Sequence, residues 1–187
     1  TGKIVAASAL AGVAIPHVHA AENNTIQVAL IGCGGRGTGA AIQALRADKD
    51  CVLHAMGDVF ADRLESSHSN LTKEMGDQAG AKLQVPPERR FVGFDAYKKV
   101  IDSGVDVVLL TSYPGFRPEH LKAAVEAVKH VFAEKPLAVD GPGLRSVLES
   151  GEKARAAGLA LMVGFCWRYN DGMKGTFEQI NSGALGD

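Results

Sequence analysis

The chain has 187 residues, of which 46% are hydrophobic, 22% charged and only 6% aromatic, and twenty basic side chains stand against twenty-one acidic ones. That apolar fraction fills a core and excludes wholesale disorder, and the length suits one domain, or one with the start of another. A formal charge of −1 without a long basic run argues against nucleic acid as the main partner.

Lys3 precedes a small-residue apolar stretch from Ile4 to Ile15, Pro16 breaks it, and Val18-His19-Ala20 offers small residues where a signal peptidase would cut. This is the anatomy of an export signal over residues 1–20, too short to span a bilayer, so it predicts a periplasmic or otherwise exported protein with no stable membrane anchor. A buried first helix, and with it a cytoplasmic protein, is the alternative; the polar Ala21-Glu22-Asn23-Asn24 that follows favours export. His17 and His19 have metal-ligand spacing for a strand but sit beside the cleavage site and are read as incidental, with no metal expected. Cys33, Cys51 and Cys166 are widely spaced without a CxxC, which proposes neither a disulfide framework nor a zinc site; buried thiols are the expectation.

From Thr25 the pattern alternates strand and helix. Thr25 to Ile31 is an almost continuous apolar run, as a parallel strand covered on both faces requires. Thr38 to Ala47 reads as a helix and Cys51 to Gly57 as a strand. Leu64, Leu71 and Met75 share one face of a second helix. A loop over Gln84 to Arg90, with Pro86-Pro87, leads to a short strand at Phe91-Val92, and Tyr97 to Ser103 makes a short helix. Val105 to Leu110 is a buried strand. Leu121, Ala124, Val125 and Val128 then recur at helical spacing, with Pro118 at the first helical position. His130 to Glu134 is a strand, Leu144, Val147 and Leu148 mark a helix, and Leu159 to Val163 is a strand again. The alternation specifies an α/β fold, a doubly wound parallel sheet of Rossmann type with right-handed crossovers, in which function sits at the carboxyl ends of the strands.

The first strand ends in Gly32-Cys33-Gly34-Gly35-Arg36-Gly37, which contains G-x-G-x-x-G as Gly32, Gly34 and Gly37. The first glycine permits the tight turn, the second a close approach to a pyrophosphate, and the third the packing of helix on strand; the helix N-terminus supplies N–H donors to the anion. A glycine-rich string is weak alone, and its place between a strand and a helix strengthens it. Asp58 ends the second strand at the position of a carboxylate that accepts from the adenosine ribose hydroxyls; its alternative role is to cap the following helix. A carboxylate there repels a 2′-phosphate and favours NAD, while Arg36 in the loop keeps NADP as the alternative. Thr111-Ser112-Tyr113-Pro114 would lie over the cofactor, or form an ordinary polar turn. Glu134-Lys135-Pro136 puts a lysine at the mouth of the crevice, where it can hold a substrate hydroxyl and steady a developing alkoxide; a solvated lysine is the bland alternative.

Together VALIGCGGRG, the Asp58 strand end, HLKAAVEAVKHVFAEKPLAVD and GFCWRYN resemble the glucose–fructose oxidoreductase and inositol dehydrogenase family (Gfo/Idh/MocA) over almost everything from Thr25 to Asp187. The most specific piece runs from Lys129-His130-Val131 to Glu134-Lys135-Pro136. The resemblance implies a catalytic role for Lys135 and a cofactor site including Gly32, Cys33, Gly34, Gly35, Arg36, Gly37, Asp58, Thr111, Ser112 and Glu134. It also implies a second α/β domain with most substrate contacts and a catalytic histidine, which begins here as Arg168-Tyr169-Asn170. The expected division is residues 21–166 for the nucleotide-binding domain and 167–187 for the start of the substrate domain. Arg168 is a candidate substrate contact, or the partner of a carboxylate, and Trp167 is read as interdomain packing, with a stacking platform for sugar as its alternative. The sequence departs from the family at Thr111-Ser112-Tyr113-Pro114, where a Thr-Pro pair is usual; near Arg117, where a histidine aligns; and at Val128, where glycine is usual. His120 is equally a surface or a ligand-facing residue.

The implied activity is an NAD(P)-dependent oxidoreductase passing hydride between nicotinamide and a sugar, cyclitol or sugar-derived hydroxyl, homo-oligomeric when full length. An NAD-dependent glycosidase and a non-catalytic nucleotide-binding protein are the alternatives. Export would require the protein to fold around its cofactor and travel folded.

Overall fold

In a computed structural model, residues 24–184 and 186 are described. The export-signal expectation for residues 1–20, with His17 and His19, lies outside the described residues. The chain runs β1 (Ile26–Ile31), α1 (Gly35–Ala47), β2 (Cys51–Asp58), α2 (Ala61–Met75), α3 (Ala79–Lys82), β3 (Arg90–Val92), α4 (Ala96–Ile101), β4 (Val107–Leu110), α5 (Arg117–Glu126), β5 (His130–Ala133), α6 (Gly141–Ala156), β6 (Leu161–Val163) and α7 (Asp171–Asn181). The six strands form one sheet in the order β3-β2-β1-β4-β5-β6, and every pairing is parallel. The order reverses between β1 and β4, which places a topological switch point, and hence a crevice, at their carboxyl ends.

Strand alternation splits the core in two. Ala29 and Ile31 of β1 join Val108 and Leu110 of β4 under α4, α5 and α6, where they pack with Val100, Leu121 and Val147. Val28 and Leu30 face the other way onto Leu45 of α1 and Leu64 and Leu71 of α2. Both faces of the central strands are covered, which is why β4 and, past Gln27, β1 read as apolar runs.

Several boundaries differ from the sequence reading for local reasons. α1 starts at Gly35, not Thr38, because the N–H of Thr38 already bonds the carbonyl of Gly34 at 2.9 Å and draws the glycine loop into the first turn. β4 starts at Val107 rather than Val105, although Val105 is buried. α5 starts at Arg117, so Pro118 is its second residue, where a missing N–H is still harmless. Val128 falls off the helical stripe altogether. It is 65% exposed and has φ +58°, the only left-handed residue other than glycine among those described, in the turn that sends α5 into β5. A side chain there costs about 1 kcal/mol, which is the physical reason for a glycine at such a turn. Of the three apolar residues marking α6, only Val147 is buried; Leu144 and Leu148 face outward, and the covered stripe runs through Val147, Ser150 and Ala154. Cys33 and Cys51 are buried as expected, whereas Cys166 is exposed, since it lies on a turn after β6.

Candidate functional site

A crevice of about 1250 Å³ opens at the carboxyl ends of the strands, lined by the glycine loop, Asp58, Thr111, Ser112, Glu134 and Lys135 among others. Its floor depends on two glycines. Gly32 has φ +97°, and a Cβ there would stand 2.3 Å from the backbone nitrogen of Ser112. A Cβ on Gly37 would stand 1.9 Å from the carbonyl oxygen of Gly32 and 2.6 Å from Thr111 Oγ1. These two lock the α1 N-terminus against the ends of β1 and β4. Gly34 and Gly35 instead face open space within 4 Å of where a Cβ would be, which leaves the backbone approachable by an anion. The first turn of α1 carries no acidic residue that would oppose one.

Asp58 ends β2 beside this loop. Its Oδ2 accepts from the N–H of Cys33 at 2.6 Å and its Oδ1 from the N–H of Phe60 at 2.9 Å. Phe60, not Asp58, is the residue that precedes α2, so the carboxylate steadies a turn and the glycine loop rather than capping the helix. Each oxygen keeps a lone pair for a ribose hydroxyl. The Cys33 side chain is turned into the core, where burial, with the nearby Asp58 charge, pushes its thiol pKa far up. Thr111 also faces inward, donating its hydroxyl to the Gly32 carbonyl at 2.6 Å and so fastening the loop to β4.

Arg36 reaches across the crevice. Its Nε donates to Glu134 Oε1 at 2.7 Å, and its NH1 to Gln43 Oε1 at 3.3 Å. The guanidinium is thereby turned toward β5 and away from a role beside Asp58. Glu134 is 6% exposed, so Arg36 supplies the counter-charge that a buried carboxylate needs. Gly164 leaves it room: a Cβ there would lie 3.0 Å from the carboxylate. Lys135, the next residue, is exposed and lines the crevice, and its peptide bond to Pro136 is cis. Arg168 is exposed over the Phe165 ring at 5.7 Å and does not line the crevice. Trp167 is exposed as well.

His120 and Arg117 prove to be buried parts of this site. His120 is 6% exposed, stacked on Tyr97 with ring centres 4.2 Å apart, and its Nδ1 lies 3.2 Å from Ser112 Oγ. Burial lowers its pKa from 6.5 to about 4, with the Arg117 charge adding to the effect and Glu119 opposing it. The imidazole is therefore neutral at physiological pH. The signal in the sequence is the buried helical stripe Arg117, His120, Leu121, Ala124 and Val125, which carries two polar residues at apolar positions.

A pH dependence of stability follows. The folded pKa of His120 lies below its unfolded value, so the unfolded chain binds more protons between pH 6.5 and about 4. The stability associated with neutral His120 is present above pH 6.5 and is lost as pH falls toward 4, up to about 3 kcal/mol. His54 and His68 are lowered too and act in the same direction. Urea unfolding at pH 7.5 and 4.5 should show a smaller acid loss for His120→Phe than for the wild type; equal losses would contradict the assignment.

Comparison with known proteins agrees with this geometry. The profile of the oxidoreductase family with an NAD-binding Rossmann fold matches residues 26–165. The myo-inositol 2-dehydrogenase of Thermotoga maritima is 30% identical over 86% of this chain, and inositol 2-dehydrogenase 3 of Saccharopolyspora erythraea is 32% identical over 87%. The crystal structure of a probable dehydrogenase from Thermotoga maritima superposes with a TM-score of 0.63 at 28% identity, covering 84% of this chain and 41% of that one. The chain spans 42% of the length of each of the two curated relatives. With the sheet order, the glycine lock and the Glu134-Lys135-Pro136 corner in place, the profile match assigns the chain to the Gfo/Idh/MocA oxidoreductase family, of which it spans the Rossmann part.

Proposed function

We propose that the full-length protein is an NAD-dependent oxidoreductase, with NADP as the alternative cofactor, that moves hydride between nicotinamide and a CH–OH group of a cyclitol, sugar or sugar-derived substrate. The observation that carries this is the single crevice into which the glycine loop, Asp58 and Lys135 converge. The residues fit such a dinucleotide. Gly34 and Gly35 leave the α1 N-terminus open to the pyrophosphate, and Asp58 has lone pairs for the ribose. Arg63 also lines the crevice and is the residue through which a 2′-phosphate would be tolerated. When bound, the nicotinamide supplies the hydride acceptor or donor. The Lys135 amine holds and moves the proton at the substrate hydroxyl oxygen, while Glu134, Ser112 and the buried Arg117 and His120 shape the corner beside it.

Further parts of the reading rest on sequence pattern. Residues 21–166 form the nucleotide-binding domain, and 167–187 lead into a substrate domain in which Arg168 meets substrate. The signal-like segment over residues 1–20 supports export, most simply of the folded holoprotein.

The test is turnover by the full-length protein with NAD or NADP and a panel of cyclitols, sugars and glycosides. Net reduced nicotinamide, formed in step with oxidised product, supports a dehydrogenase. Glycoside cleavage with no net reduced cofactor would replace it with a glycosidase that oxidises its substrate transiently.

A further inference from the structure

Arg117 opens α5 and is 2% exposed, so it carries a full charge out of water. Burial pulls its pKa down, and the nearby Glu134 charge pulls it back up. A buried guanidinium is costly unless its donors are used. Here one terminal nitrogen donates to the carbonyl of Ser112 and the other to the carbonyl of Pro136, while the buried Nε has no hydrogen-bond partner among the described residues. Ser112 lies just past β4 and Pro136 just past β5, two strands paired side by side up to Leu110 and Ala133. One planar side chain therefore ties together the two loops that leave the sheet at the crevice.

Lys135 lies between two such ties. On one side, the N–H of Glu134 bonds the Leu110 carbonyl at 2.9 Å and its carboxylate is held by Arg36. On the other side, the Pro136 carbonyl is held by Arg117. Among the described residues the Lys135 ammonium itself has no hydrogen-bond or ion-pair partner. The backbone therefore sets the point from which the lysine side chain enters the crevice, and that backbone is set by its two neighbours.

We propose that Arg117 is a positioning residue for Lys135, its fork on the Ser112 and Pro136 carbonyls fixing where the lysine enters the crevice. The proposal rests on the reading of Lys135 as the proton-handling group. The fork matters because a guanidinium presents parallel donors at a fixed spacing, whereas a lysine in its place offers one compact ammonium that serves both carbonyls poorly. A displacement of about 1 Å at a reacting group costs on the order of 100-fold in rate.

The experiment compares Arg117→Met, Arg117→Lys and a core variant remote from the crevice, Leu71→Ala, in the full-length protein. Leu71 is fully buried against α1 and the other face of the sheet, so its truncation lowers stability without touching Lys135. The expected result is a roughly 100-fold loss of kcat in Arg117→Met, larger than any change in KM or in the NAD dissociation constant, and a smaller loss in Arg117→Lys. Leu71→Ala, assayed where it is folded, keeps wild-type kcat. Wild-type kcat in folded Arg117→Met would overturn the proposal. A crystal structure of Arg117→Met reads the same point without turnover: the Lys135 backbone and the Ser112 loop should be displaced, and superposable positions would overturn the proposal whatever the enzyme does. Failure of the wild-type protein to bind nucleotide or turn over would instead count against the proposed function, leaving the structural readout to decide the role of Arg117.

Discussion

Lys135→Met in the full-length protein should lower turnover about 1000-fold while leaving NAD binding and stability almost unchanged. The two halves of this expectation have separate causes. General acid–base assistance by one positioned side chain contributes roughly 100- to 10,000-fold, and methionine keeps the length of the lysine stem but has no transferable proton. Stability is spared because Lys135 is exposed and its ammonium has no partner among the described residues, so truncation opens no cavity and strands no buried group. Lys135→Arg should fail as well, since a guanidinium stays protonated and cannot accept the hydroxyl proton. Steady-state kinetics with a nucleotide titration on the same preparation check both halves. Near-wild-type turnover in Lys135→Met would return this residue to an ordinary solvated lysine ahead of α6.

Gly37→Ala should be as damaging to the scaffold as Lys135→Met is to the chemistry. A methyl group at this position would sit 1.9 Å from the carbonyl oxygen of Gly32 and 2.6 Å from Thr111 Oγ1. The first of these is backbone within the glycine turn and cannot swing aside. Relief requires moving the α1 N-terminus off β1 and breaking the Thr111 bond to the Gly32 carbonyl. Overpacking of this kind costs about 3 kcal/mol or more, and the displaced helix end no longer offers its N–H groups to a pyrophosphate. Gly39 supplies the comparison within the same helix, because a methyl there would meet only Arg36 NH1 at 3.6 Å. Gly39→Ala should be neutral or stabilising by up to about 1 kcal/mol, since alanine is the better helix former. Denaturant midpoints and NAD binding distinguish the two; a Gly37→Ala protein as stable as the wild type would contradict the packing argument.

Legibility followed the range of the interactions. The strands under both helical layers could be read because Val28 to Ile31 and Val108 to Leu110 are apolar on successive residues, a pattern that burial on both faces produces by itself. The glycine loop, Asp58 and Lys135 are legible because each sits at the carboxyl end of a strand or just past it. The features that the sequence does not display depend on contacts distant in sequence. Arg36 and Glu134 are 98 positions apart and meet only because β1, β4 and β5 are adjacent. Arg117 and His120 look like the polar start of a surface helix until the Ser112 and Pro136 loops close over them. Val128 continued the helical period in sequence, but the chain had to turn into β5 there, and tertiary geometry overrode the period. Leu144 and Leu148 mark α6 correctly as a helix and mislead about its covered face, because apolar type alone does not say which side meets the sheet.

The most direct test is an equilibrium titration of the full-length protein, stripped of bound nucleotide, with NAD and with NADP. The crevice predicts saturable binding of one NAD per chain, with NADP weaker because the Asp58 carboxylate opposes its 2′-phosphate and, with Arg36 committed to Glu134, Arg63 alone is left to offset it. Absence of saturable binding of either nucleotide by the folded protein would contradict it.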